Sequence, residues 1–142
     1  VRVGLGTDGM RGDMLAEANY AMVLQHHLAR DPSASFAAPL DALLKTNAAF
    51  ASRLFGRRLG VLEPGAAADL ILVDYRPITP LDDANLYGHI YYGVAPARVT
   101  DTMVAGRWLL RKGRLLSLDM DEIVRLAGEQ SRGVWRRFKE RK

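Results

Sequence analysis

Apolar residues recur at helical spacing in two stretches of the first part of the chain. Residues 12–30 place apolar side chains on one side of a helix, and the Asp-Pro pair at 31–32 predicts its end. A second helix is predicted over residues 39–55, because proline favours the first turn of a helix and glycine at position 56 favours its end. The side chains expected to be buried in the first helix are Met14, Leu15, Ala18, Met22 and Leu28.

From residue 60 onward the pattern changes to short apolar runs separated by glycine. The Glu-Pro-Gly sequence at 63–65 predicts a turn, and the continuous apolar run at 69–74 is typical of a strand buried on both faces. We expect the core of this layer to contain Trp108 and residues 70–73.

Two glycine-containing turns predict a meander after this strand. Residues 99–104 and 107–110 are joined by Ala105-Gly106, which predicts a hairpin. Lys112-Gly113 predicts a second turn into residues 114–118. A meander of so few strands needs partners to bury its faces.

The end of the chain predicts a basic helix that begins at residue 119. Asp119 and Glu122 form a capping-box pattern, and an apolar stripe follows at helical spacing. The whole chain has a formal charge of +4, but residues 125–142 alone carry +5, so residues 1–124 carry −1. This distribution indicates a solvated helix end and not a nucleic-acid partner. The stripe consists of Ile123, Ala127, Val134 and Phe138.

The composition is that of an ordinary globular protein, with 49% hydrophobic and 25% charged residues in 142. No apolar run approaches the roughly 18 residues of a membrane span, so no membrane partner is expected. The absence of cysteine excludes disulfides and thiolate metal sites and agrees with a cytoplasmic location. The chain starts at Val1 without a signal-like segment, from which we expect part of a longer protein.

A glycine-rich run near the start has two interpretations. The spacing Gly4-x-Gly6-x-x-Gly9 satisfies the dinucleotide-binding pattern, in which backbone N–H groups at a helix N-terminus hold a pyrophosphate. The carboxylate of Asp8 would repel that ligand. The acidic residue required about 20 positions later has its nearest match in Asp31, which closes a helix instead of a strand. A nucleotide-binding module remains an alternative.

The second interpretation gives the functional role to Asp8. Functional side chains of β/α barrels sit at the carboxyl ends of the strands, where a strand ending Leu-Gly-Thr-Asp-Gly would present this carboxylate. The competing possibility is that Asp8 caps the following helix, because aspartate is a favoured N-cap residue. Spacing alone leaves both possibilities open.

Three motifs, taken in order, resemble the C-terminal third of the amidohydrolase superfamily. They are Gly-Leu-Gly-Thr-Asp-Gly at 4–9, the sequence from Gly60 to Asp74 with its Glu-Pro-Gly turn, and the hairpin at 99–113. Within the superfamily the chain is most similar to the cytosine deaminase and triazine hydrolase (chlorohydrolase) branch, and there to aminohydrolases associated with selenium metabolism. Met-Arg-Gly-Asp at 10–13 departs from the Ser- and Asn-containing continuation common in the deaminases, which leaves the substrate open.

The resemblance implies an α/β fold larger than this chain, namely a TIM barrel carrying a β-sandwich built from both ends of the sequence. A barrel takes about 250 residues, so a C-terminal fragment is expected. Residues 1–58 would form the end of the barrel, with residues 1–8 as its eighth strand. Residues 59–118 would form part of the sandwich, and residues 119–142 a terminal helix packed on the outside.

The resemblance also implies a metal site. Asp8 matches the family's aspartate that ligates a divalent metal, zinc or iron, and accepts a proton from the hydrolytic water. Gly9 and Met10 would belong to the substrate-side loop. The family's other ligands are a His-x-His pair and single histidines from earlier strands, and they are not in this sequence. The site in this chain is therefore expected to be incomplete.

None of the three histidines matches a ligand motif of the family. His26 and His27 are adjacent in a predicted helix and point about 100° apart, so they cannot jointly chelate one ion. We expect both to be surface or boundary residues. His89 also matches no motif.

The sequence thus predicts the C-terminal part of a metal-dependent amidohydrolase that acts on C–N bonds, or displaces a ring substituent, of a small heterocyclic substrate. The isolated chain is expected to be inactive and to bind zinc no better than a surface control. Its expected partner is the N-terminal remainder of the barrel, and a homo-oligomer is left open. An alternative from another class is a noncatalytic protein-interaction module, since a lone barrel strand has unpaired edges.

Overall fold

The computed structural model describes residues 1–141, in which helical segments precede, interrupt and follow a four-stranded antiparallel sheet. In chain order the elements are α1 Met14–Ala29, α2 Ala38–Asp41, π-helical Ala42–Asn47, α3 Ala48–Phe55, β1 Leu70–Asp74, α4 Leu86–His89, π-helical Ile90–Val94, β2 Arg98–Val104, β3 Arg107–Arg111, β4 Arg114–Leu115 and α5 Met120–Glu140. The first π-helical segment joins α2 to α3, and the second extends α4. We call the resulting elements the 38–55 helix and the 86–94 helix.

The first two predicted helices are confirmed. Helix α1 begins after Asp13, whose Oδ1 accepts a hydrogen bond from the Ala16 N–H at 3.0 Å. The 38–55 helix ends at Gly56, which adopts the left-handed conformation at φ 65°. The expected burial of Leu28 is wrong, because the core forms around the middle of α1 and this side chain in its last turn is 80% exposed.

The buried core lies among the helices. Ala18 and Met22 of α1 meet Leu40 of the 38–55 helix and Tyr91 of the 86–94 helix, and all four are at most 2% exposed. The Tyr91 hydroxyl donates to the Phe36 carbonyl at 3.0 Å, so this large side chain is buried with its polar atom paired. Partly buried side chains around these four are Leu5, Phe36, Leu43, Tyr87 and Ile90.

The 86–94 helix was not among the sequence predictions, which placed only strands and turns after residue 60. Its signal was nonetheless present in Leu86, Ile90 and Val94, which are spaced four residues apart. The segment is short and is stabilised by burial of Tyr91, which no local pattern could indicate.

The predicted meander is confirmed, with strand order β1-β2-β3-β4. Ala105 and Gly106 have φ values of 49° and 77°, and Lys112 and Gly113 have 48° and 75°. Positive φ at both central residues of a two-residue loop is the arrangement that best matches the twist of paired strands. The last strand is short, because β4 covers only Arg114–Leu115 of the predicted 114–118.

The prediction that β1 is buried on both faces, and with Trp108 forms a core, is wrong for this chain. Ile71 and Leu72 are 48% and 49% exposed, and Trp108 is half-buried. As neighbours along the strand, Ile71 and Leu72 point to opposite faces of the sheet, so neither face of β1 is fully covered within the described residues. The Arg111 guanidinium lies 4.2 Å from the centre of the Trp108 ring.

The terminal helix begins where predicted, since the Asp119 carboxylate accepts hydrogen bonds from the N–H groups of Asp121 and Glu122. The Glu122 side chain pairs with Arg125. The apolar stripe is solvent-exposed within residues 1–141, at Ile123, Ala127, Val134 and Phe138. No helix among the described residues is long and apolar enough to cross a membrane.

Candidate functional site

The segment that carries Asp8 has no regular secondary structure. The strand predicted over residues 1–8 is absent, because a strand requires a neighbour in a ladder and none of the described residues pairs with this segment in one. Instead the Met10 N–H donates to the Thr7 carbonyl at 3.2 Å and closes a turn, with Asp8 and Gly9 at its two central positions.

Asp8 lies at the tip of this turn with a φ of 50° and an exposed side chain. Within residues 1–141 its carboxylate accepts no hydrogen bond and forms no ion pair, so both oxygens are free to bind a ligand. The possibility that Asp8 caps the next helix is wrong, because Asp13 holds that position. Gly9 and Met10, the other residues of the predicted site, are also exposed.

The segment is attached to the helices by a side chain that sequence reasoning missed. The Leu5 N–H donates to Asn47 Oδ1 at 3.0 Å, and Asn47 Nδ2 donates to the Leu5 carbonyl at 2.7 Å. We call this pair of hydrogen bonds the Asn47 clasp. The available signal was an asparagine in a predicted helix interior, where its propensity is unfavourable.

Only one of the glycines in the motif has a close neighbour. A Cβ on Gly4 would lie 2.5 Å from Asn47 Oδ1, so the clasp requires glycine at this position. Gly6 and Gly9 face open space and have no positive φ, so nothing in the described residues requires them to be glycine. The described residues therefore explain only the first glycine of the motif.

The start of α1 does not provide the anion site that the nucleotide-binding alternative needs. The helix N-terminus carries the Asp13 carboxylate, which occupies the Ala16 N–H. A phosphate at this position would meet the Asp13 carboxylate, which repels an anion. The geometry thus opposes a dinucleotide cradle here.

The described residues contain no group of three or more His, Asp or Glu side chains placed to hold a metal ion. His26 is half-buried and His27 exposed, as expected for boundary and surface positions. His89 lies elsewhere, in a cavity of about 480 Å³, and both of its ring nitrogens face side-chain oxygens. Its Nδ1 lies 2.6 Å from the Tyr75 hydroxyl and its Nε2 lies 3.3 Å from Thr79 Oγ1.

A second polar cluster joins two helices of the core. Asp41 Oδ1 accepts from the Tyr87 hydroxyl at 2.6 Å and lies 2.6 Å from Lys45 Nζ. Hydrogen bonds from Lys45 and then from Tyr87 lower the pKa of Asp41. The bond to Asp41, followed by burial, raises the pKa of Tyr87. This cluster connects the 38–55 helix to the 86–94 helix.

Residues 1–109 match the model of the amidohydrolase family. A 5-methylthioadenosine/S-adenosylhomocysteine deaminase from Pelotomaculum thermopropionicum is 36% identical in a 128-position alignment that covers 86% of this chain and 29% of that protein. A 5′-deoxyadenosine deaminase from Methanothermobacter thermautotrophicus is 33% identical in a 133-position alignment that covers 89% of this chain and 30% of that protein.

A solved structure is also similar to this chain. The crystal structure of an adenosine deaminase from Xanthomonas campestris with bound zinc superposes with a TM-score of 0.63 at 28% identity, covering 82% of this chain and 26% of that one. The chain thus spans less than a third of the length of the curated relatives it matches.

Proposed function

Because this chain belongs to the amidohydrolase family, we propose that it is the C-terminal part of a metal-dependent hydrolase that removes an amino group from a small heterocycle. The observation that carries the proposal is the exposed carboxylate of Asp8, which has no partner among residues 1–141 and lies inside the region that matches the family. Relatives named as adenosine-type deaminases favour an aminopurine nucleoside over a chlorinated ring as the substrate.

The proposal places residues 1–58 at the end of a β/α barrel, residues 59–118 in a β-sandwich and residues 119–142 in an outer helix. Residues 1–8 would gain ladder partners from the remainder of the barrel. The open space beside Gly6 and Gly9 leaves room for that approach, and the uncovered faces of β1 would be covered in the same way.

The donor chemistry of Asp8 fits a zinc ion, for which a carboxylate oxygen is an ordinary ligand. Asp8 would supply one ligand, and the others would come from outside the described residues, which hold no further cluster. A bound zinc ion lowers the pKa of a water toward neutrality. No residue of this chain other than Asp8 is proposed to hold it.

In the proposed reaction, a carboxylate oxygen of Asp8 takes a proton from the water that adds to the ring carbon bearing the amino group. The same oxygen returns the proton to the nitrogen, the C–N bond breaks and ammonia leaves. A base placed beside the attacking water contributes typically about 100-fold to 10,000-fold in rate. Gly9 and Met10 would lie next to the substrate, since they share the turn with Asp8.

The test compares Asp8→Asn with Asp13→Asn in the full-length protein that contains this chain. Ammonia release from a panel of adenosine-type and other amino-substituted heterocycles is expected to fall at least about 100-fold for Asp8→Asn. Asp13→Asn is the matched control, because asparagine caps a helix as well as aspartate does. Wild-type rates in Asp8→Asn would exclude the proposed role.

The coding sequence upstream of Val1 distinguishes this proposal from a noncatalytic interaction module. The enzyme requires an upstream reading frame that encodes a His-x-His pair and the earlier barrel strands. A start codon at this position, together with zinc binding no stronger than that of a surface control, would favour the module.

A further inference from the structure

We infer that Asn47 is the positioning residue for Asp8, an inference that rests on the function proposed above. The Asn47 carboxamide binds both backbone hydrogen-bonding groups of Leu5, at 3.0 Å and 2.7 Å. Leu5 stands three positions before Asp8 and is the point at which this otherwise irregular segment is attached to the helices.

The clasp performs the task of a neighbouring strand. In an antiparallel ladder, one residue exchanges an N–H and a C=O bond with the residue opposite. A carboxamide offers the same donor and acceptor at the same time, whereas a carboxylate offers only acceptors and alanine offers neither. Asn47 therefore holds the backbone of Leu5 in both translation and rotation.

The surroundings are shaped to this side chain. Gly4 leaves no room for a Cβ, which would lie 2.5 Å from Asn47 Oδ1 and 3.4 Å from the Phe50 ring. The Leu5 side chain packs against the buried core of Ala18, Met22, Leu40 and Tyr91. Leu5 is thus fixed through its backbone by the clasp and through its side chain by the core.

The attachment of Leu5 also restrains the Asp8 carboxylate, because only two residues separate them. Gly6 is followed by Thr7, which is half-buried and whose carbonyl closes the turn with the Met10 N–H. Asp8 lies inside this closed turn, so its position follows from that of Leu5. Displacement of a catalytic group by about 1 Å can lower a rate about 100-fold.

Asn47 also stands at the end of the π-helical segment Ala42–Asn47, between two α-helical segments. Single π-helical turns inside α-helices are frequent at functional sites. Asparagine is unfavourable in a helix interior, so its presence here is explained by the contact with Leu5.

The experiment uses Asn47→Ala in the full-length, zinc-loaded protein. The matched control is Ser52→Ala in the same helix, where Ser52 Oγ accepts from the Leu59 N–H at 3.0 Å and donates to the Ala48 carbonyl at 2.7 Å. Both variants remove a side-chain hydrogen bond to a loop backbone, but only Asn47 contacts the Asp8 segment.

Three measurements are compared. Asn47→Ala is expected to accelerate hydrogen exchange at the Leu5 amide at least about tenfold, because its acceptor is lost. Zinc affinity is expected to fall about 10-fold, the lower end of the loss that is usual when a residue orienting a metal ligand is removed, because Asn47 acts on Asp8 only through the Leu5 backbone. In kinetics, kcat is expected to fall while KM changes little, and Ser52→Ala is expected to leave all three measurements unchanged.

Gly4→Ala tests the same clasp without altering the helix, and it keeps the inference testable if Asn47→Ala does not fold. Its Cβ displaces Asn47 Oδ1. As in Asn47→Ala, hydrogen exchange at the Leu5 amide is expected to become faster and zinc affinity to fall. Faster exchange with wild-type zinc affinity and kcat, in either variant, would show that the clasp is only structural and would overturn the inference.

The inference and the proposed function fail in different ways. If Asp8→Asn loses ammonia release but Asn47→Ala retains it, only the positioning role of Asn47 is overturned. If Asp8→Asn equals the wild type, the proposed function and the inference built on it are both overturned.

Discussion

The helical region and the sheet region of this chain reach their folded states by different means. In the helical region, side chains from three separate segments bury Ala18, Met22, Leu40 and Tyr91 almost completely. In the sheet region, Ile71 and Leu72 remain about half exposed although each residue of their strand pairs with β2. Turns and ladder hydrogen bonds therefore hold the sheet in place, whereas contacts between distant segments hold the helices.

The largest expected effect on stability is at Tyr91, in the core of the helical region. Tyr91→Ala is expected to lower the free energy of unfolding by about 3–5 kcal/mol, because it leaves a cavity in the core. Trp108→Ala is expected to lower it by only about 1–2 kcal/mol, because a half-buried ring contributes part of what full burial gives. Urea unfolding followed by circular dichroism measures both losses, and equal losses would contradict the proposed difference between the regions.

The contribution of the turns can be tested by comparing Gly106, which lies in a turn, with Gly88, which lies in a helix. Gly106→Ala is expected to destabilise the β2–β3 hairpin by about 1–2 kcal/mol, because its φ of 77° is unfavourable for a residue with a Cβ. Gly88→Ala in α4 is expected to be neutral or to stabilise by up to about 1 kcal/mol, since alanine favours helices.

Neither glycine has a neighbour within 4 Å of the added Cβ, so packing does not complicate this comparison. Hydrogen exchange of the β2 and β3 amides reports the change locally. Unchanged exchange in Gly106→Ala would mean that the turn does not hold the hairpin.

The smallest expected effect is the pH dependence of the Asp41 cluster. The lowered pKa of Asp41 means that the folded state favours its charged form, so the contribution is present above the ordinary value of 3.8. It is lost as the pH falls below 3.8 through the folded value. Because the pair with Lys45 is exposed, the contribution is at most about 1 kcal/mol.

The measurement is the urea concentration at the midpoint of unfolding, for the wild type and for Asp41→Asn, as a function of pH. The two midpoints are expected to differ at neutral pH and to converge as the pH falls below 3.8 and through the lowered pKa of folded Asp41. Asp83→Asn, at an exposed position, is the control. A difference that grows on acidification would contradict the assigned sign.

Much of the local structure was predictable because its causes lie within a few residues. Asp119 and Gly56 mark helix ends through capping and left-handed φ, and Ala105-Gly106 determines a hairpin by its own dihedral angles. The sequence also singled out Asp8 as a candidate functional residue, because its carboxylate is incompatible with the dinucleotide-binding motif around it. Its proposed role stays a prediction that Asp8→Asn can test.

The caps, the turns and the apolar stripes of the helices were therefore predictable from the sequence alone, as was the family resemblance that its motifs carry. Only the tertiary structure decided that Tyr91 completes the core and that Asn47 clasps Leu5 across 42 positions. The physical reason is range. Dihedral preferences and caps act between near neighbours, whereas a contact between distant segments depends on how helices pack, which spacing along the chain does not encode.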